Sequence, residues 1–492
     1  MTMTKRIAVI GGGIAGLSAG IYGRLAGFEV DVFEKHVVAG GECTGWDRRG
    51  CHIDNCIHWL TGSRPGSDLH EVWRTVGAID EGTAYAPDDK FFTARLGDER
   101  ATFWHDLDRT ERELVALSPA DADEVRRLIK HVRYAQCCDI PAEKPMDMMG
   151  PLDYLKLGMR MRSMPKVMKA YGGLSVGELA QRFESPLLRM LVGDYMPKEY
   201  AAYALLVSYA TMASGNGQVP LGGSREMAQR MARRLEELGG RLHLGRAVQR
   251  VLCEGDCAVG VALEGGEEMR ADAVIFAADM SLLYGGLIDE ALMPESWREA
   301  YAQRDRYPVM SAVQAAFLVD EGLVEPGITL MACDPIPIGE TAVTRVSARP
   351  YDHEPSWAPE GKSLVQMTAT QSDAEYEWWS SLGPEEYRAE KARVAQAFAD
   401  ALIALQPEVA PSLELLDCWT PLTYERYCGA YRGSYMGFMT VPGVKPVDCP
   451  GTAKGLDGLY LAGQWVTSPG GLPIAVTSGK FAIQRISRAL GA

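Results

Sequence analysis

Residues Lys5 to Ile10 form a short apolar run that passes straight into Gly11-Gly12-Gly13-Ile14-Ala15-Gly16, and Leu17 to Gly27 continues with helical spacing. Strand, tight turn and helix in that order open a dinucleotide-binding α/β unit and leave few alternatives. Gly11 permits the turn, Gly13 lets the backbone approach a pyrophosphate, and Gly16 lets the helix pack closely on the strand. The unsatisfied N–H groups and positive dipole end of that helix, beginning at Ile14 and Ala15, then face the phosphates. A second strand, Phe28 to Phe33, ends at Glu34, about 20 residues past the turn, where a carboxylate can accept from both ribose hydroxyls. An acid at this position also disfavours a 2′-phosphate.

The fingerprint reads only the ADP half of a cofactor, so it leaves a nicotinamide dinucleotide and FAD both open. Two further segments separate them. After Glu34 come Lys35 and the glycine pair Gly40-Gly41, which allow a long cofactor to run close to the backbone across the domain. Near the C-terminus, Gly458 to Gly463 reads as a buried strand leading to Gln464, the turn Pro469-Gly470-Gly471-Leu472-Pro473 and a helix from Ile474 to Leu490. A second strand-to-helix junction of this kind can aim amide N–H groups at a flavin's pyrimidine edge and ribityl chain. The combination points to FAD.

These three segments together resemble the flavin-containing amine oxidase and phytoene desaturase superfamily, and within it the phytoene desaturase, carotenoid isomerase and retinol saturase branch. The likeness covers most of the chain. Gly40-Gly41 through Asp54 to His58-Trp59 is similar to that branch's double glycine, aromatic-rich turn and acid followed by Ile-His-aromatic. Pro220 to Ser224 with its following helix, a hairpin carrying Val248, and Ala273 to Ala278 look like the pieces that return to the cofactor domain, with Val248 at the adenine. The resemblance implies an α/β fold: a discontinuous Rossmann-like FAD-binding domain (1–90, 218–290 and 440–492) with an interleaved α+β substrate domain (91–217 and 291–439). Two departures stand out. Glu42 follows the double glycine where the family usually has Arg, and Gln464 stands where the C-terminal strand usually ends in Asp.

Length and composition agree with this. A chain of 492 residues exceeds one hydrophobic core, and 47% apolar with 23% charged residues suits a folded protein. The net charge of −15 gives no general attraction to nucleic acid. No run reaches the roughly 20 apolar residues of a membrane span, Ala201 to Ala213 coming nearest. With no signal peptide in MTMTKRIAVIGGG and an odd eleven cysteines, the expectation is a cytosolic protein with reduced thiols and no metal site. From Tyr154 to Lys169, five basic residues and no acid are interspersed with Leu, Met and Val. This reads as a helix packing its methionines on the core; the sharper alternative is a helix on an anionic lipid surface, where a lipid-soluble substrate would enter.

A flavin brings its own redox chemistry, so no separate nucleophile is needed. The resemblance implies an FAD-dependent oxidoreductase acting on a hydrophobic polyene, isoprenoid or unsaturated lipid, by desaturation, saturation or double-bond isomerisation. Tyr200 to Met212 and Tyr424 to Phe438 are candidates to line its apolar cleft, or simply core. Asp54, His58 and Glu42 come nearest the flavin edge in the family layout. His58 is the leading candidate for proton transfer because an ordinary imidazole titrates near working pH; the plainer alternative is a core histidine beside Trp59. Arg426 and Arg432 either meet a substrate carboxylate or, more simply, pair with acids of the chain. Two other functions share the fold: an amine oxidase-like flavoenzyme with a paired-aromatic cage, and a noncatalytic prenyl or lipid carrier, whose flavin motifs are typically decayed. The partner expected is a hydrophobic small molecule, with peripheral membrane contact as an option; oligomeric state is not legible.

Overall fold

A computed structural model of the protein describes residues 4–447 and 449–491. Arg6–Ile10 (β1) is buried along nearly its whole length, as a central parallel strand must be. It is followed by a helix at Ile14–Leu25 (α1) and by Glu29–Phe33 (β2), which pairs parallel to β1 with Arg6 opposite Glu29. The rest of this sheet comes from distant sequence. Its order is Leu459–Leu461, Ala273–Phe276, β1, β2, Arg241–His243, five strands all parallel. Alternation along the strands makes three layers. Ile7, Val9, Val30 and Ile275 pack under α1, Gly223–Glu237 and Leu472–Leu490, through Leu17, Met231, Leu235 and Ile483. Ala8, Ile10, Val274 and Phe276 pack on Val251, Val261 and Leu263 of a three-stranded antiparallel sheet. The hairpin expected at Val248 is the first part of that sheet.

The second body is a seven-stranded mixed sheet in the order Glu414–Trp419, Ser311–Asp320, Lys362–Gln371, Thr341–Pro350, Thr329–Ile338, Lys90–Leu96, Glu99–Trp104. One face, with Val313, Phe317, Val346, Val365 and Met367, is closed by Val394, Phe398 and Leu402 of the helix Pro384–Leu405. A helical cluster built from 122–213 packs against Phe92 and Phe103. The fold is thus α/β, a discontinuous Rossmann-like region with an additional α+β domain.

Two stretches whose spacing predicts one helix each, Ser175 to Leu191 and the basic stretch Tyr154 to Lys169, are each divided. Ser175 to Leu191 becomes Val176–Ala180 and Pro186–Gly193, because Pro186 has no N–H to continue a helix while Ser185 caps a new one by accepting from Leu188 N–H. The basic stretch becomes Pro151–Arg160 and Met164–Tyr171, with Pro165 in the first turn of the second. Its methionines do not all reach the core. Met164 and Val167 are buried, but Pro151–Arg160 buries no residue, and Leu152, Leu155 and Met159 are 73%, 58% and 55% exposed. Among the described residues no helix is long and apolar enough to cross a membrane.

Candidate functional site

A single cavity of about 1760 Å³ runs between the two bodies. Every residue singled out from the sequence for cofactor contact lines it except Gly16: Gly11, Gly13, Ile14, Ala15, Glu34, Lys35, Gly40, Gly41, Glu42, Val248, Gly463, Gln464, Gly471, Leu472 and Pro473. Gly16 has the packing role instead, since a Cβ on it would strike the carbonyl of Gly11. His58 lines the cavity too.

The two helix N-termini that meet here are both uncapped by side chains. The N-caps are Gly13 for α1 and Gly471 for Leu472–Leu490, neither of which can cap, so the orphan N–H groups of both first turns are left to the cavity. Gly11 holds φ +103°, and its N–H donates to Phe33 O at 2.8 Å, which fixes the turn. Gly13 differs in kind: its φ is −73°, open to any residue, and a Cβ built on it meets nothing nearer than Gly40 O at 3.8 Å. That Cβ would occupy cavity space. The Gly40-Gly41 loop is tied alongside by Gly40 N–H donating to Gly12 O at 2.9 Å. Glu34, buried at the end of β2, accepts from Gly12 N–H at 2.7 Å and His36 N–H at 2.8 Å, one on each oxygen, and each oxygen keeps capacity for a further donor. Open amide donors, a backbone gap and an oriented carboxylate fit the pyrophosphate and ribose of a dinucleotide.

Glu42 and Gln464, the two departures from the resembled family, touch each other: Gln464 Nε2 donates to Glu42 Oε2 at 3.0 Å, and Gly471 N–H donates to Gln464 Oε1 at 3.3 Å. An aspartate at 464 would face Glu42 with a second carboxylate; the amide supplies a donor. Burial raises the Glu42 carboxyl to about 8, against the Gln464 hydrogen bond, with a smaller push from Asp279. Glu42 is therefore largely protonated at neutral pH. Asp279, which the sequence reading missed, also lines the cavity; burial lifts it to about 6 although Ser281 N–H, Ser281 Oγ and Tyr431 N–H all donate to it. The available signal was its position, N-cap of a helical turn just after the strand Ala273–Phe276.

The histidine differs from expectation in charge. Burial, with Arg349 nearby, pushes His58 down to about 4, so its imidazole is neutral at working pH rather than poised between forms. Asp54 is turned away from the cavity wall, its carboxylate accepting from Ser224 N–H, Ser224 Oγ and Cys56 N–H. It joins the strand Cys51–Asp54 to the helix Gly223–Glu237. Arg432 is buried in ion pairs with Asp373 and Glu377, the plainer of its two readings, whereas Arg426 lines the cavity with its guanidinium carbon 5.4 Å from the Tyr427 ring centroid. The aromatic segments divide: Tyr200, Tyr203, Val207, Tyr424 and Tyr435 line the cavity, while Leu205, Leu206 and Tyr209 belong to the helical core.

A fold with a nucleotide cradle on one side of a large cavity and a second sheet on the other defines a class of two-domain nucleotide-cofactor proteins. A family model described as flavin containing amine oxidoreductase matches residues 14–487, and the chain belongs to that family. It is similar to prolycopene isomerase 2 of an Oncidium hybrid cultivar, 24% identical over 98% of this chain and 84% of the relative. It is also similar to the zeta-carotene-forming phytoene desaturase of Myxococcus xanthus, 25% identical over 99% of this chain and 94% of the relative. Among solved structures, an oxidoreductase from Methanosarcina mazei has a TM-score of 0.62 at 17% identity, covering 98% of this chain and all of the other. Cyclohexylamine oxidase from Brevibacterium oxydans has a TM-score of 0.58 at 15% identity, covering 99% of this chain and all of the other. At these identities the solved structures establish the shared fold.

Proposed function

We propose that the chain is an FAD-dependent oxidoreductase of the phytoene desaturase, carotenoid isomerase and retinol saturase branch. Its substrate is a hydrophobic polyene, isoprenoid or unsaturated lipid that is desaturated, saturated or isomerised. The observation that carries this is the continuity of the cavity. At about 1760 Å³ it exceeds the roughly 300–1,000 Å³ of a site for one small ligand, and it joins the glycine fingerprint to Met161, Met164, Tyr200, Val207, Leu330 and Tyr435. The names of the relatives point the same way.

FAD, when bound, supplies hydride exchange at its N5 position. The chain's part is to hold and shield. Gly13, Ile14 and Ala15 would take the pyrophosphate, Glu34 the adenosine ribose and Val248 the adenine. At the start of the C-terminal helix, Leu472 would present its N–H to the pyrimidine edge, while Pro473, which has no N–H, would add only van der Waals contact. Gln464 and protonated Glu42 add neutral polarity there, without the fixed charge an arginine would bring. His58, held neutral by burial and by the Arg349 charge, is suited to hydrogen-bond a polar group of the substrate rather than to carry its proton. The domain division proposed is 1–90, 218–290 and 440–492 against 91–217 and 291–439, apart from positions 1–3, 448 and 492, which lie outside the described residues. All strands of the parallel sheet fall in the first set, and those of the seven-stranded sheet fall in the second with Lys90 on the boundary.

Two details weigh against the other functions of this fold. An amine oxidase cage needs facing aromatic rings, whereas Tyr424 and Tyr435 meet tilted by 46° at 6.2 Å. A carrier with decayed flavin motifs has no need of the intact glycine cradle. Mass spectrometry of hydrophobic ligands copurifying with the protein tests the reading. A polyene, isoprenoid or unsaturated lipid is expected; turnover of simple amines with release of ammonia and peroxide would replace it with the amine oxidase.

The exposed face of Pro151–Arg160 supports peripheral attachment to the cytoplasmic face of a membrane. Its Leu and Met residues lie among Lys156, Arg162, Lys166 and Lys169, and the adjoining Met161 and Met164 line the cavity, so bilayer and cavity would be continuous. Leu155→Glu combined with Met159→Glu is expected to lower co-sedimentation with anionic vesicles at least tenfold, at a cost of about 1.4 kcal/mol or more, without changing the melting temperature. Equal co-sedimentation of the two proteins would remove the membrane contact.

A further inference from the structure

The seven-stranded sheet turns part of its second face to the cavity, and on three neighbouring strands that part carries a run of polar side chains beside Ala312 and Leu330. Along Thr341–Pro350, Val346 and Ala348 point to the helix Pro384–Leu405, while the alternating Arg345, Ser347 and Arg349 line the cavity. Gln314, Gln366 and Thr368 do the same on the neighbouring strands. A wall shaped for hydrocarbon alone would carry aliphatic side chains at these positions, since polar groups gain nothing against it.

Most of these groups are satisfied within the protein. Thr368 Oγ1 donates to Gln314 Oε1 at 3.1 Å and Tyr351 OH to Gln366 Oε1 at 2.7 Å, Gln366 Nε2 donates to Asp54 O at 2.6 Å, and Arg345 pairs with Asp194 at 3.0 Å. Arg349 is the exception. It is only 5% exposed, and it cannot shed its proton. Among the described residues its one hydrogen bond runs from Nη1 to His58 O at 3.2 Å; Nε has no partner, and the nearest carboxylate, that of Asp88, stands 3.7 Å from Nη2. The charge is felt around it, since it adds to the downward push of burial on both His58 and His353. The charge is compensated only by the long contact to Asp88 and by the Tyr351 ring, whose centroid is 5.2 Å from the guanidinium carbon, and the side chain lines the cavity.

We propose that Arg349 anchors an anionic end group of the substrate, a carboxylate, so that the molecule taken into the cavity is an unsaturated lipid acid rather than a neutral hydrocarbon. This rests on the lipid-oxidoreductase reading and names its substrate class. The sheet face supplies polar partners at the acid end, Arg349 with Ser347 and Thr368, while the aliphatic and aromatic lining accommodates the chain. Anchoring one end fixes which bond of a long, featureless chain reaches the redox centre, a task that apolar contacts alone do poorly because they are non-directional.

The test is calorimetric titration of the flavin-loaded protein at pH 7 with oleate, below its micelle concentration, and with oleyl alcohol. The acid is expected to bind at least tenfold more tightly than the alcohol, and Arg349→Gln to bring the two within about twofold, as loss of one charge-assisted contact requires. Arg349→Lys, which keeps the charge and loses the planar fork, retains part of the preference. Equal affinities for acid and alcohol in the unmodified protein would overturn the proposal, and so would an acid preference unchanged in Arg349→Gln. The comparison in the unmodified protein decides the matter even if the glutamine variant does not fold. Flavin content, read from the visible spectrum of the same samples, reports separately on the redox reading: protein that holds flavin but shows no acid preference loses the anchor alone.

Discussion

Replacement of Gly13 by valine is expected to leave the protein folded and to abolish flavin retention. Position 13 has φ −73° and ψ −177°, extended backbone that a β-branched residue adopts without strain, and a Cβ there meets no protein atom within 3.8 Å. The flavin-free variant should therefore melt within a few degrees of the flavin-free parent. The added methyl groups would stand where the pyrophosphate must approach the first N–H groups of α1. Losing one or two charge-assisted hydrogen bonds there, at about 1.5–3 kcal/mol each, weakens cofactor binding by about tenfold at the least and about 10⁴-fold at the most. Most glycine substitutions fail because the fold fails. Here folding and cofactor binding separate, and measuring melting temperature together with flavin content in one preparation shows which of the two was lost. A valine variant with full flavin content would contradict the cradle.

The second large effect concerns the contact between Glu42 and Gln464. Gln464→Asp is expected to cost about 2–3 kcal/mol, because it replaces a donor with a second carboxylate on a partner that is already buried. Adding Glu42→Gln should recover most of that loss, since the double variant restores one amide and one carboxyl in reversed order. A pH dependence accompanies this. The Glu42 carboxyl titrates near its ordinary value in the unfolded chain and at about 8 in the folded one. A folded-state value raised in this way means that the folded protein holds a proton the unfolded chain has released. The contribution is fully present below pH 4.5 and is lost as pH rises through 8. Asp279, raised to about 6, adds to the same slope at lower pH. Thermal melts between about pH 6.5 and 9, above the range where the depressed imidazoles of His58 and His353 slope the other way, should thus show stability falling with pH, and Glu42→Gln should flatten that fall. A Glu42→Gln variant with an unaltered profile would remove Glu42 from this role.

The cofactor side was legible because its signals are local. The strand, the turn at Gly11, the helix start at Gly13 and the acid at Glu34 lie within one short stretch, and each has a steric or electrostatic reason to be where it is. The second junction at Gly471 was legible for the same reason, although what joins it to the first is long-range parallel pairing that no local pattern encodes. The contact of Glu42 with Gln464 could not be read: each departure was visible alone, but their pairing depends on two loops meeting across the cavity. The substrate side was legible least. Arg345, Ser347 and Arg349 alternate as a strand should, yet the alternation does not say which face meets the helix Pro384–Leu405 and which meets the cavity. The expectation of an apolar cleft followed from the Met and Tyr segments and passed over this polar wall. His58 was identified by residue type, but its charge state depends on burial and on Arg349, a residue far away in sequence and beside it in space. The helix at Pro151–Arg160 shows a related limit, since amphipathic spacing reveals an apolar face without revealing whether anything covers it.

The most direct measurement is the visible absorption spectrum of the purified protein after incubation with FAD and removal of the excess. Retention of about one flavin per chain, released on denaturation, is the result predicted by two helix N-termini and Glu34 acting on one molecule. A colourless protein that takes up no flavin under conditions where it remains folded would contradict the account at its root.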